Sequence, residues 1–141
     1  MIGRAALYVR QGVYFLTVDS QTEAGFWIEE ESRCLDTDPT HEILAEEVLQ
    51  ALEKSRLAIV TPPRDQIGSK LPELAGVKSF STFMKGAICV DIKRDENDTI
   101  KVTPMTNKGR DGFKFLTDLA EEIHSPSDLA TALEAVLESA D

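Results

Sequence analysis

A chain of 141 residues, 42% apolar and 28% charged, has the size and make-up of one globular domain that can bury a core without metals or disulfides. Its formal charge of −10 at pH 7 disfavours nucleic acid and anionic lipid as partners and favours a basic protein. No stretch approaches the roughly 18 apolar residues of a membrane span, and Arg4 and Arg10 interrupt the N-terminal apolar run, so neither a span nor a signal peptide is expected. Two cysteines make no disulfide framework, and the expected compartment is a reducing, cytoplasmic one.

The first thirty residues read as three strands. Ala5 to Val9 and Val13 to Val18 flank Gln11-Gly12, where glycine permits the positive φ of a tight hairpin. Phe26-Trp27-Ile28 forms the third strand, which is expected to end at Glu29-Glu30-Glu31, a run too polar and self-repelling for a core. Cys34 falls in the loop beyond.

A helix comes next. Asp38 is the expected capping carboxylate, with Pro39 at the first helical position. Ile43, Leu44, Val48, Leu49 and Leu52, with Ala45 and Ala51, recur at helical spacing and predict one apolar face. His41, Glu42, Glu46, Glu47, Gln50 and Glu53 lie on the other side, and Lys54 and Arg56 suit the negative end of the helix dipole.

Thr61-Pro62-Pro63 stops the apolar segment Leu57 to Val60, and Gly68, Pro72 and Gly76 break up the stretch beyond it. A connecting excursion is expected, with at most a short helix at Leu71 to Ala75, before Phe80 and Phe83 return to the sheet. Ile88, Val90 and Ile92 alternate with polar or small residues, Asp95 to Asp98 turn the chain, and Ile100 and Val102 come back on the same face. Cys89 reads as a small buried side chain. Phe113, Phe115, Leu116, Leu119 and Ile123 are expected to be buried, as helix or as strand. The last helix is expected to start at Ser125-Pro126-Ser127-Asp128, a cap followed by proline. The whole predicts a single α+β domain over residues 1–141, with an antiparallel sheet of about five to six strands and two main helices packed on it.

Reactive chemistry is sparse. His41 and His124 both sit beside helix starts, with no nucleophile at a telling spacing. The two cysteines and two histidines lack the paired spacing of a metal site. Asp95-Glu96-Asn97-Asp98 lacks the alternating ligands and closing glutamate of a calcium loop. Gly68-Ser69-Lys70 and Gly109-Arg110-Asp111-Gly112 are fragments of a phosphate loop and nothing more. Lys85, Lys93, Arg94, Lys101, Lys108, Arg110 and Lys114 form a basic stretch, but the net charge and the core-like aromatics beside it weigh against nucleic acid. No catalytic residue, metal or cofactor is assigned.

Charge is distributed very unevenly. Between Asp19 and Glu53 stand eleven carboxylates and one base, Arg33; residues 54–114 carry +5, and no base follows Lys114. Acids in such number also serve solubility, yet segregation this strong points to an acidic face that meets a basic partner.

The order of segments resembles the proteobacterial contact-dependent growth inhibition immunity protein family. The resemblance runs through Tyr8, Val13-Tyr14-Phe15 and Gly25-Phe26, then the amphipathic stretch Leu44 to Arg56, then Phe83-Met84-Lys85. It continues in Ile100-Lys101-Val102-Thr103-Pro104 and Ser127-Asp128-Leu129. It implies a non-enzymatic, cytoplasmic protein that binds and neutralises the C-terminal toxin domain of a matching effector, commonly a nuclease. The family has no catalytic signature to carry over.

A nuclease must hold a polyanion, so carboxylates can occupy its basic cleft, and opposed potentials speed encounter. The expected partner-binding residues are Glu29, Glu30, Glu31, Asp36, Asp38, Glu42, Glu46 and Glu47. The C-terminal acids Asp118, Glu121, Glu122, Asp128, Glu134, Glu138 and Asp141 form a competing surface, and the loop from Asn107 to Gly112 a third. Two other classes stay open: an acidic interaction or oligomerising module that uses an exposed sheet edge, and a hydrolase working through paired carboxylates.

Overall fold

The computed structural model describes residues 1–35 and 38–140, Arg110 by its backbone alone. One antiparallel sheet forms the frame. β1 (Gly3–Arg10), β2 (Val13–Gln21) and β3 (Trp27–Cys34) make a meander, and β4 (Ile88–Arg94) pairs with the far side of β1. β5 (Ile100–Asn107) lies beyond β4, and its outer edge is shared by two three-residue strands, β6 (Phe113–Phe115) and β7 (Glu121–Ile123). The order is β3-β2-β1-β4-β5-β6, with β7 beside β5. Gln11 and Gly12, at φ 51° and 77°, make the expected hairpin, since a two-residue turn of matching twist needs both in the left-handed region.

Residues directly opposite in an antiparallel ladder share a face. Leu7 stands opposite Leu16 and Val90, Ile92 opposite Val102, and Ile100 opposite Ile123. These side chains meet α1 (His41–Lys54) and α4 (Leu129–Ser139), whose Leu44, Val48, Leu52, Leu129, Leu133 and Val136 complete the main core. The opposite face is filled in part by α2 (Leu71–Ala75) and α3 (Phe80–Met84). There Phe83 is wholly buried, edge-on to Tyr8 at 5.6 Å and to Phe15 at 5.2 Å. Burying such a ring stabilises by roughly 1.5–3 kcal/mol.

Several expectations change. β3 does not end at the acids but runs through them to Cys34, because an edge strand leaves glutamates room to reach solvent and the helix beside it. The helix cap is Thr40, whose Oγ1 accepts from the Ile43 N–H at 3.2 Å; Asp38 stands two residues earlier at φ 55°. Pro39 therefore precedes the cap rather than coming after it. Ile43 is half exposed, since it falls at the margin of the apolar arc. Residues 113–123 are two short strands joined by a 3-10 turn, with Ile123 buried but Phe115 and Leu119 about half exposed, as a one-sided edge cannot enclose every apolar side chain. Before α4, Pro126–Asp128 form a 3-10 turn without a side-chain cap, and the Ser125 and Ser127 hydroxyls bond each other instead.

Candidate functional site

The acids of β3 lie against α1, and the pairing explains why. A β-bulge between Val18 and Asp19 in the ladder with β3 leaves Glu30 as the extra residue, aimed toward the end of the helix. Glu30 pairs with Arg56 and accepts from the Ser20 hydroxyl at 2.5 Å. Glu31 pairs with Lys54 at 3.4 Å, and Arg33 of β3 pairs with Glu47 of α1. Two ion pairs thus join the edge strand to α1 and a third joins it to the residue just past the helix end, and three of the eight expected binding acids are neutralised within the chain. Glu29 turns the other way. Its carboxylate accepts from Ser32 Oγ, Ser69 Oγ and the Lys70 N–H at 3.1, 2.9 and 2.8 Å, tying the strand to the start of α2.

Asp38, Glu42 and Glu46 behave differently. All three are exposed, and none makes an ion pair among the described residues. Glu42 in the first turn suits the positive end of the helix dipole; Glu46 has no such reason. Asp38 helps to line a cleft of about 420 Å³ with Arg33, Cys34, Leu35, Pro39, Thr40, Ile43 and Glu47. Asp36 falls outside the described residues. Of the competing set, Glu134 of α4 lies 3.8 Å from His41 Nδ1, so the start of α1 adjoins α4. Glu121, Glu122 and Asp128 line a cleft of about 480 Å³ with His124, Ser125 and Thr131.

At the other end of α1, the base that caps the helix comes from β4. Arg94 donates to the Leu52 carbonyl at 3.3 Å, to Glu53 at 2.8 Å and to the Met1 carbonyl at 2.7 Å. Lys54 stands in the last turn as the spacing predicts, while Arg56 lies beyond the helix end and pairs with Glu30, and Arg94 is the base that spacing does not show. A residue forty positions away leaves no local signal.

The sheet face away from α1 carries a second charged group. Arg4 donates to Asp91 at 3.0 Å and lies 6.0 Å from the centre of the Trp27 ring, and Thr17 donates to Asp19 at 3.1 Å. The Asp19 carboxyl is pushed up to about 6, first by burial, and further by the nearby Glu29 and Asp91; Thr17 and Arg4 pull it down. Burial also raises the Cys89 thiol, an inert structural position. Asp91 is 7% exposed and Thr17 1%, and a cleft of about 690 Å³ nearby takes in Glu29 but neither Asp19 nor Asp91. The arrangement suits a packed polar cluster between strands rather than paired carboxylates open to a substrate. The remaining reactive groups are dispersed: His124 Nδ1 lies 3.2 Å from Thr99 Oγ1, and Cys34 is exposed. Among the described residues no group of three or more histidine, cysteine or acidic side chains is placed to hold a metal, and no helix is long and apolar enough to cross a membrane.

A sequence model of the family described as CdiI, CDI immunity protein, matches residues 11–133. Two solved structures share the fold. A protein of unknown function, NMB0488, from Neisseria meningitidis superposes with a TM-score of 0.78 at 19% identity, covering all of this chain and 96% of that one. A CdiA-CT/CdiI toxin and immunity complex from Yersinia pseudotuberculosis contains a chain that superposes with a TM-score of 0.75 at 15% identity, covering all of this chain and 98% of that one. No curated protein matches the chain.

Proposed function

The chain belongs to the CDI immunity protein family, and from that premise we propose that it binds and neutralises the toxin domain of a cognate contact-dependent growth inhibition effector. The related fold in the toxin and immunity complex from Yersinia pseudotuberculosis supports this reading. The protein acts by occupying a surface, not by chemistry. Its reactive side chains are scattered or packed, and its charge is what a partner meets first.

The toxin is a nuclease with a basic cleft, and this chain meets it with the solvent ridge of α1. The observation that carries the choice is the division among the expected acids. Glu30, Glu31 and Glu47 already hold bases of their own chain, and Glu29 accepts three hydrogen bonds. An acid already satisfied within the fold gains little from a new cation. Asp38, Glu42 and Glu46 are exposed and ready for one, and the ridge of α1 presents the last two a turn apart.

The test is co-expression with the toxin domain of the effector encoded beside this chain. The two products are expected to co-purify, and the purified protein is expected to stop cleavage of RNA or DNA by the toxin at a stoichiometric ratio. A toxin fully active in the presence of excess protein removes the function; a toxin that is bound and blocked but cleaves no nucleic acid removes only the nuclease.

A further inference from the structure

After α1 ends at the Ser55 cap, the chain runs alongside the end of β2. The Gln21 N–H donates to the Arg56 carbonyl at 2.9 Å, the Ile59 N–H to the Gln21 carbonyl at 3.1 Å, and the Glu23 N–H to the Ile59 carbonyl at 2.8 Å. The Ala24 N–H adds a bond to Thr61 Oγ1 at 3.3 Å. Ala58 is held at φ 56°, in the left-handed region that a residue with a Cβ rarely adopts. The segment is thus fixed by its backbone, yet it turns apolar side chains outward. Val60 is 79% exposed and Leu57 45%, with Phe26 at 44% and Ile67 at 37%.

Four of the nine big exposed apolar side chains of the described residues thus lie around Pro62, and such a grouping marks an interaction surface. They line two clefts that share Pro62. One, of about 690 Å³, holds Leu57, Val60 and Ile28 beside Glu29, Glu30 and Arg56; the other, of about 650 Å³, holds Phe26 and Ile67 with Arg64. The walls are preformed by backbone bonds, so filling them carries little ordering cost.

We propose that this double cleft around Pro62 is the anchor for the cationic protein partner, taking up one or two of its large apolar side chains, while the acids of α1 steer it in. The inference rests on the proposed function and adds where the partner is held. A second copy of this chain is the poorer occupant. It would bring −10 against −10, and the walls offer no charge to offset that repulsion, since Glu29 and Glu30 balance Arg56 and Arg64 across the two clefts. A protein of opposite sign meets attraction from the whole molecule and an apolar seat at this point.

Steering and holding then have separate signatures. Long-range charge sets the rate of encounter, whereas burial at a seat sets the rate of escape. The test measures association and dissociation of the purified toxin domain with Leu57→Ser/Val60→Ser, both exposed positions whose change leaves the core intact. Dissociation is expected to quicken roughly 10- to 100-fold, with association rate and salt dependence unchanged. Val60→Lys, which sets a base before a basic partner, is expected to weaken binding further. Phe115→Ser, at an apolar side chain 49% exposed elsewhere, is the control and is expected to change nothing. An unaltered off-rate in a complex that still forms overturns the anchor and leaves the function standing. Failure of the unaltered protein to bind the toxin removes both. A wild-type dimer that Leu57→Ser/Val60→Ser dissociates overturns the choice of occupant.

Discussion

Glu30, the bulged residue of the edge strand, and Arg56, just past the end of α1, pair across the seam between sheet and helix, and the buried Ser20 hydroxyl lies beneath them. Ser20 Oγ donates to Glu30 at 2.5 Å and accepts from the Arg56 N–H at 2.9 Å. A run of glutamates that repel one another in sequence is here distributed onto separate partners.

The seam yields a graded prediction. The Arg56 side chain is 64% exposed, so Arg56→Ala is expected to destabilise by only about 0.5–1 kcal/mol. Ser20 is fully buried, so Ser20→Ala strands two partners and is expected to cost about 1–3 kcal/mol. Urea unfolding of both variants decides the order. Equal losses would mean that the ion pair, and not the hydroxyl beneath it, fastens the helix end.

Asp19 makes stability depend on pH in an unusual direction. Its folded carboxyl titrates at about 6 against an ordinary 3.8, so the folded state holds the proton more tightly than the unfolded chain. This favours folding fully below about pH 4, and the advantage is lost as pH rises to about 6. Asp19→Asn is therefore expected to stabilise by roughly 1–3 kcal/mol at pH 7 and by almost nothing at pH 4. The difference between variant and wild type, followed by chemical denaturation across that window, is the measurement. A difference that stays constant with pH would assign the titration elsewhere.

Gly3 sits where β1 passes under the end of α1. A Cβ there would stand 2.8 Å from the Leu52 carbonyl oxygen and 3.4 Å from Ser55 Cβ. That carbonyl is also held by Arg94, so it has little freedom to withdraw. Gly3→Ala is expected to destabilise by about 1–3 kcal/mol, although alanine normally suits a strand better than glycine. A thermal midpoint equal to wild type would show that the helix end lifts freely.

Glu42→Lys/Glu46→Lys reverses charge at exposed positions without touching an ion pair. Association with the toxin domain is expected to slow roughly tenfold or more at low ionic strength, and the deficit is expected to shrink in molar salt as screening removes the steering. Stability is expected to fall by about 1 kcal/mol, because Glu42→Lys sets a cation at the positive end of the helix dipole. Glu30→Gln/Glu31→Gln, at acids already paired, is expected to slow association far less. The opposite ranking in stopped-flow measurements would move the contact surface from the helix ridge to the strand.

The strands, the helices and most of the core were legible in the sequence because they depend on spacing. Alternation at Ile88, Val90 and Ile92, and helical recurrence at Leu44, Val48 and Leu52, decide which side of an element is apolar before it meets a neighbour. The acidic run from Glu29 to Glu47 was equally plain as composition, and so was the family to which its surroundings pointed. What each acid does was not. Only the packed fold sets Glu31 against Lys54 and Glu47 against Arg33 while leaving Glu46 bare, since an ion pair depends on distance in space and not along the chain. The exposure of Leu57 and Val60 was likewise hidden, because four apolar residues in a row carry no period that tells a covered side from an open one. Local chemistry shaped the elements of this protein, and tertiary packing decided which of its charges and apolar side chains remain for another molecule.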